Sequence, residues 1–184
     1  MSSRHDARGD CRASTAAGLR LRPLRVEDQD AFLAAHRTMA AEGFNFGLGL
    51  QNDMSWGRYL EALEEGRAAI NLPKGMVPAP FLVADVGGEI VGRTSIRHVI
   101  NDFLASVGGH IGYAVLPQHR RRGYATEILR QSLVVARAHG VKRVLVTCDD
   151  NIASIAVIEA CGGQLDSLVP AEPGAPSRRR YWID

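Results

Sequence analysis

The sequence predicts a single-domain, mixed α/β layer fold, on three observations. Segments with strand-like patterning are interleaved with segments of helical period, in the order β-α-α-β-β-β-α-β-α-β-β. Gly87-Gly88 between two apolar runs marks a two-residue hairpin. The chain has 184 residues, a length that suits one well-buried core, and neither a repeat nor a linker divides it.

Each element has its own local reason. Leu19 to Leu24 alternates apolar and polar residues and stops at Pro23, which makes a short strand. Glu27 and Asp28 put negative charge where a helix dipole favours it. Phe32, His36 and Met39 follow at helical spacing, and Gly43 ends the element. Residues 44–52 form a Gly-rich loop with two phenylalanines. A second helix runs from about Met54 to Glu65, with Trp56, Tyr59, Leu60 and Leu63 on one face. The three prolines between Asn71 and Pro80 make a loop. The hairpin pairs Phe81–Val86 with Glu89–His98, and residues 101–109 form a loop. His110–Val115 is a strand closed by Pro117, with Gly112 expected as a bulge. Tyr124–His139 is a long helix with an apolar stripe (Ile128, Leu129, Leu133, Ala136), ended by Gly140. Val144–Thr147 is a β-branched run suited to a strand covered on both faces. Asn151–Cys161 is a short helix with Ile152, Ile155 and Ile158 in register, stopped by Gly162-Gly163. Two closing strands, near 164–169 and 179–183, flank a Pro-rich turn at 170–176.

Composition excludes several function classes. The net charge of +2 implies no general affinity for polyanions. Cys11, Cys148 and Cys161 have no CxxC spacing, which argues against a disulfide framework or a zinc site, so no metal is expected. Free thiols fit a reducing cytoplasm. Residues 1–18 are polar and Arg-rich, without a signal-peptide core; they read as a flexible tail or a vector-derived leader, ahead of a domain at 19–184. No run approaches the roughly 20 apolar residues that span a bilayer, so no membrane partner is expected. Nucleic acid is also unexpected, because no aromatic residues interleave with the arginine runs 120–122 and 178–180. The second run reads as an edge or solvated face.

The first run is different because of where it falls. A strand ends at Val115-Leu116-Pro117, a basic connection leads to Gly123-Tyr124-Ala125-Thr126, and a helix begins. Helix starts carry free N–H groups and a positive dipole end, a ready site for phosphate or pyrophosphate. Gly123 and Ala125 are small enough for close backbone approach, and the arginines add cationic donors. Neither a Walker A loop nor an early GxGxxG is present, so ATP and dinucleotides fit poorly.

Arg120-x-x-Gly123-x-Ala125 resembles the (Q/R)-x-x-G-x-(G/A) motif of the GNAT acyl-CoA N-acyltransferases. The likeness spans residues 19–184 and includes the element order. A poorly characterised subgroup of predicted acetyltransferases is similar in three places: Gly108–Tyr113, Gly123–Thr126 and Thr147–Ser154. The resemblance implies a mostly antiparallel sheet with helices on both faces and a splayed central strand pair, 110–115 against 143–147. It implies acetyl-CoA as cosubstrate and an amine acceptor, and allows a homodimer. Backbone N–H groups from Arg121, Arg122, Gly123, Tyr124, Ala125 and Thr126 would hold the pyrophosphate. Val115 and Leu116 would border the pantetheine arm. Asn151, with Ser154 beyond it, would contact that arm, cap its helix, or both.

For the chemistry, many relatives place a tyrosine seven residues after the asparagine to protonate the leaving thiolate. Here that position is Ile158. Proton-handling candidates are His110, Glu42 and Tyr113, with His98 behind them; each has an alternative structural reading. Cys148, ahead of two aspartates, reads as structural. The expected activity is N-acetyl transfer, and the alternative is an acyl-CoA-binding module without turnover.

Overall fold

The computed structural model describes residue 16 and residues 18–170 and 177–184. The expected N-terminal tail, apart from Ala16 and Gly18, and most of the Pro-rich turn lie outside the described residues. The element order matches the expected one throughout: β1 (Leu19–Arg22), α1 (Gln29–Ala40), α2 (Trp56–Ala68), β2 (Phe81–Val86), β3 (Glu89–Ile96), β4 (Ile111–Val115), α3 (Tyr124–Ala138), β5 (Val144–Asp149), α4 (Ile152–Ala160), β6 (Gln164–Val169) and β7 (Arg178–Ile183).

The strands form two antiparallel sheets, β1-β2-β3-β4 and β5-β7-β6. Gly87 and Gly88, both at positive φ, make the β2–β3 turn, and Asp85 Oδ1 accepts the Gly88 N–H at 3.1 Å. The register of the first sheet shifts at Ala84/Asp85. No shift occurs at Gly112, which pairs regularly with Ser95. The expected bulge is therefore one hairpin earlier, where Gly92 has no room for a side chain: a Cβ there would lie 2.4 Å from Ala114 O.

Three apolar clusters divide the interior. Phe32 of α1 centres an aromatic group, with Phe46, Trp56, Tyr59 and Phe81 at 5.4–5.9 Å between ring centroids. This cluster fixes α1, α2 and the loop between them on one face of the first sheet. On the other face lies α3. Its stripe Ile128, Leu129, Leu133 and Ala136 is buried as expected, and it packs against both sheets. Ser132 Oγ lies 2.9 Å from Thr94 Oγ1, joining α3 to β3 inside this layer. The core of β5 is fully buried at Val144, Leu145 and Val146. In α4 the expected stripe is only partly realised: Ile158 is buried, but Ile152 is 87% exposed.

β4 and β5 share no ladder. They are fastened where β4 begins, by His110 N–H donating to Leu145 O at 2.7 Å and Leu145 N–H donating to His110 Nδ1 at 2.9 Å. Gly109, at φ 62°, lets the backbones meet there, since a Cβ would lie 2.6 Å from Leu145 O. The segment before it is not an irregular loop. Leu104–Gly108 forms a π-helical turn, and Val107 O accepts from Thr147 Oγ1 of β5 at 2.9 Å.

Candidate active site

The candidate site is the connection from β4 to α3 together with the edge of β4 that faces away from β3. Arg97 N–H donates to His110 O, and Leu116 N–H donates to Val91 O. In an antiparallel ladder the bonded pairs recur every two residues. With this register, Gly112 and Ala114 bond to β3, whereas Tyr113 and Val115 point their N–H and C=O groups away from it. The edge facing the gap between the sheets thus pairs with no other strand among the described residues.

Beyond Val115 the chain makes a 3-10 turn at Pro117–His119. Arg121 (φ 65°) and Gly123 (φ 82°) then adopt left-handed conformations, and α3 starts at Tyr124. For Arg121 this is an uncommon conformation with an energetic cost. Alternation of handedness aims successive N–H groups into one concavity that suits an anion. Glu127 N–H, bonded to Gly123 O at 3.2 Å, is the first in the helix with a carbonyl acceptor. Among the described residues, the N–H groups of Arg121 to Thr126 have none. Arg120 straps the turn: its Nε donates to Val115 O at 3.3 Å, and its guanidinium forms an ion pair with Glu42. Arg121 and Arg122 are exposed and have no ion-pair partner among the described residues. Asn151 caps α4, accepting Ser154 N–H at 2.9 Å.

Residues 18–164, more than half of the chain, match the family described as Acetyltransferase (GNAT) domain. The chain belongs to the GNAT acetyltransferases. Solved structures of similar fold include RimJ of Mycobacterium smegmatis in complex with CoA-disulfide, at 20% identity and TM-score 0.66 over 92% of this chain and 83% of that one. An acetyltransferase of Agrobacterium tumefaciens is 24% identical, with TM-score 0.59 and 92% of each chain covered. The protein yncA of Salmonella typhimurium, solved with its cofactor acetyl-CoA, is 16% identical with TM-score 0.61, covering 90% and 93%. No curated protein sequence matches the chain.

Within this GNAT acetyltransferase the candidate proton handlers occupy three different settings. His110 is buried, and its Nδ1 is occupied by the Leu145 N–H. Burial, with the charge of Arg97 nearby, holds its pKa below the ordinary imidazole value. Glu42 is held by Arg120 at the mouth of the turn. Tyr113 is different: its hydroxyl is buried and has no hydrogen-bond partner among the described residues. Burial, together with Cys148 and Cys161 close by, raises its pKa, so it stays protonated at neutral pH. It packs against the same cluster that contains Ile158. His98 stacks on His139 at the far end of α3, with ring centroids 3.8 Å apart, away from Gly123. Cys148 is pushed up to about 11 by burial and by Asp149, as befits an unreactive thiol. A cavity of about 540 Å³ borders Leu116 and Gln118 but none of residues 120–126.

The sequence reading passed over two arginines, Arg93 and Arg97, which lie beside Gly112. Their signal was available. Arg93-x-Ser95-x-Arg97 places polar groups on one face of a strand otherwise rich in buried residues.

Proposed function

We propose that this enzyme transfers an acetyl group from acetyl-CoA to a primary amine by direct attack. The observation that carries this reading is the row of N–H groups from Arg121 to Thr126 without protein acceptors among the described residues, set at the end of a strand edge that pairs with no other strand. A pyrophosphate takes those donors, with Arg121 and Arg122 adding charge-assisted hydrogen bonds. The pantetheine amides pair with Tyr113 and Val115 as an added strand would. Leu116, Gly123, Tyr124 and Ala125 shape the path, and Asn151 and Ser154 border it from α4.

The acceptor, as the free amine, attacks the thioester carbonyl carbon, and a β4 N–H on the free edge donates to the oxyanion. As the tetrahedral intermediate collapses, the C–S bond breaks and the thiolate takes the Tyr113 phenol proton in the same step in which the amine nitrogen gives its proton to the phenolic oxygen, so no phenoxide forms in the buried site. Tyr113 thus replaces the acid missing at Ile158. His110 fastens the strand pair and Glu42 positions Arg120; both are positioning residues.

The test is thiol release with a panel of amines, alongside calorimetry of CoA binding. Tyr113→Phe should lower kcat about a hundredfold with little change in CoA affinity, within the usual range for a general acid. An unchanged kcat would remove Tyr113 from the chemistry. Absence of turnover with every amine, at normal CoA affinity, would favour the alternative that Ile158 suggests, a CoA-binding module without turnover.

A further inference from the structure

β3 turns Arg93, Ser95 and Arg97 toward the side of the sheet that carries the α1–α2 loop. Arg93 is only 4% exposed. Its Nη1 donates to Gly112 O at 3.3 Å and its Nη2 to Asn45 O at 3.1 Å. The Phe44 ring lies 5.0 Å from its guanidinium carbon. Arg93 Nε is buried without a partner among the described residues. Arg97, half-buried, donates from Nη1 to Gly109 O at 3.3 Å. A Cβ on Gly112 would lie 3.7 Å from Arg97 Nη1 and 3.9 Å from Arg93 Nη1, so both guanidiniums converge on one point of β4.

Every protein acceptor of this pair is a backbone carbonyl, and neither arginine has a carboxylate partner among the described residues. Elsewhere the chain follows the usual rule for buried cations: Arg22 is held by Asp28 at 2.6 Å and Asp85 at 2.9 Å. Burial and the charge of Arg97 bring the pKa of Arg93 down to about 10, which still leaves it charged at neutral pH. Two like charges side by side, one buried and one half-buried, destabilise a fold without a counter-charge unless something else brings the missing anion. The CoA pyrophosphate is too far away. At about 3.3 Å per residue, Gly112 is roughly 10 Å from Val115, before the turn even begins. The pair therefore lies at the reacting end of the cleft, beside the loop 43–52.

We propose that Arg93 and Arg97 bind a carboxylate of the acceptor, so that the substrate is an amine that also carries a carboxylate, such as an amino acid. This rests on the amine-acetylation reading. Arg93 forms the back wall and holds the orientation; Arg97, open to solvent, admits the anion and completes the fork.

Calorimetric titration of the enzyme without acetyl-CoA, using α-amino acids, their amides and phosphoethanolamine, tests the anion site alone. At least one amino acid should bind ten or more times tighter than its amide, and Arg97→Gln should remove that preference while CoA affinity stays the same. Equal affinity for acid and amide, stronger binding of phosphoethanolamine than of every amino acid, or no binding at all would overturn the proposal. Arg97→Met separates a binding role from a structural one. The ligand-free Tm should rise by a few degrees as the repulsion between Arg97 and the buried Arg93 is removed, and a fall in Tm would mark Arg97 as structural. Thiol release with the same panel keeps the two readings apart. Carboxylate binding without transfer removes only the acetylation reading, and transfer to neutral amines without carboxylate preference removes only this one.

Discussion

Arg178, Arg179 and Arg180 each meet an aspartate: Asp149 at 3.5 Å, Asp150 at 2.7 Å and Asp166 at 3.5 Å. The other run of three, at the start of α3, spends only Arg120 on an acid, Glu42, and leaves Arg121 and Arg122 free beside N–H groups that are also free. Identical tripeptides thus carry opposite local charge balance. On β7 the partners come from β5, the residue just after it, and the irregular position of β6, with Asp149 directly opposite Arg178 in the ladder. On the turn no strand lies alongside to supply them, and the left-handed residues direct donors outward. A charge run acquires a function from what the fold leaves unpaired around it.

Four experiments bear on this contrast. Gly123→Val should have the largest effect. A β-branched residue is strained at φ 82° and crowds the approach of an anion. CoA affinity should fall at least a hundredfold, about 2.7 kcal/mol, in a protein that still melts cooperatively; retained affinity by calorimetry would dissolve the distinction between the two runs. Arg121→Ala with Arg122→Ala should weaken CoA binding about tenfold and flatten its salt dependence, as expected when two exposed cations stop contacting phosphate. Titrating Cys148 probes the acid-rich end of β5. With its pKa near 11, alkylation at pH 8 should be about a hundredfold slower than for an ordinary thiol, because the thiolate is the nucleophile; the rate should climb until the pH passes about 11. Replacing Arg178, Arg179 and Arg180 with Gln should matter least. Exposed ion pairs contribute about 0–1 kcal/mol each, so a modest drop in Tm with unchanged CoA affinity is the expected result. A loss of CoA binding there would place the cofactor on the wrong arginines.

The order of elements was readable because each segment carries one clear period and is punctuated by Gly or Pro at its ends. The turn at Gly123 was readable for a related reason, since a glycine just ahead of an apolar-periodic segment marks a helix start. What escaped the sequence depends on contacts between distant segments. The expected bulge at Gly112 lies at Ala84/Asp85, because a strand glycine alone does not say which neighbour approaches. The hydrogen bond from Leu145 N–H to His110 Nδ1 joins positions 35 residues apart, and no local pattern announces it. Ile152 matched the apolar register of its helix, yet it sits in the first turn of α4 and faces solvent. Arg93 and Arg97 were passed over because their interest lies in a missing partner, which no local pattern reveals.

Ile158 and Gly163 together limit what the end of α4 can carry. Ile158 is fully buried, and a Cβ on Gly163 would lie 2.5 Å from its Cγ2 and 2.8 Å from its carbonyl oxygen. A tyrosine at 158 brings extra volume into a closed core, with the overpacking cost that implies. A side chain at 163 meets the backbone carbonyl of residue 158 whatever residue stands there. A larger side chain at either position therefore has to move the backbone where α4 ends.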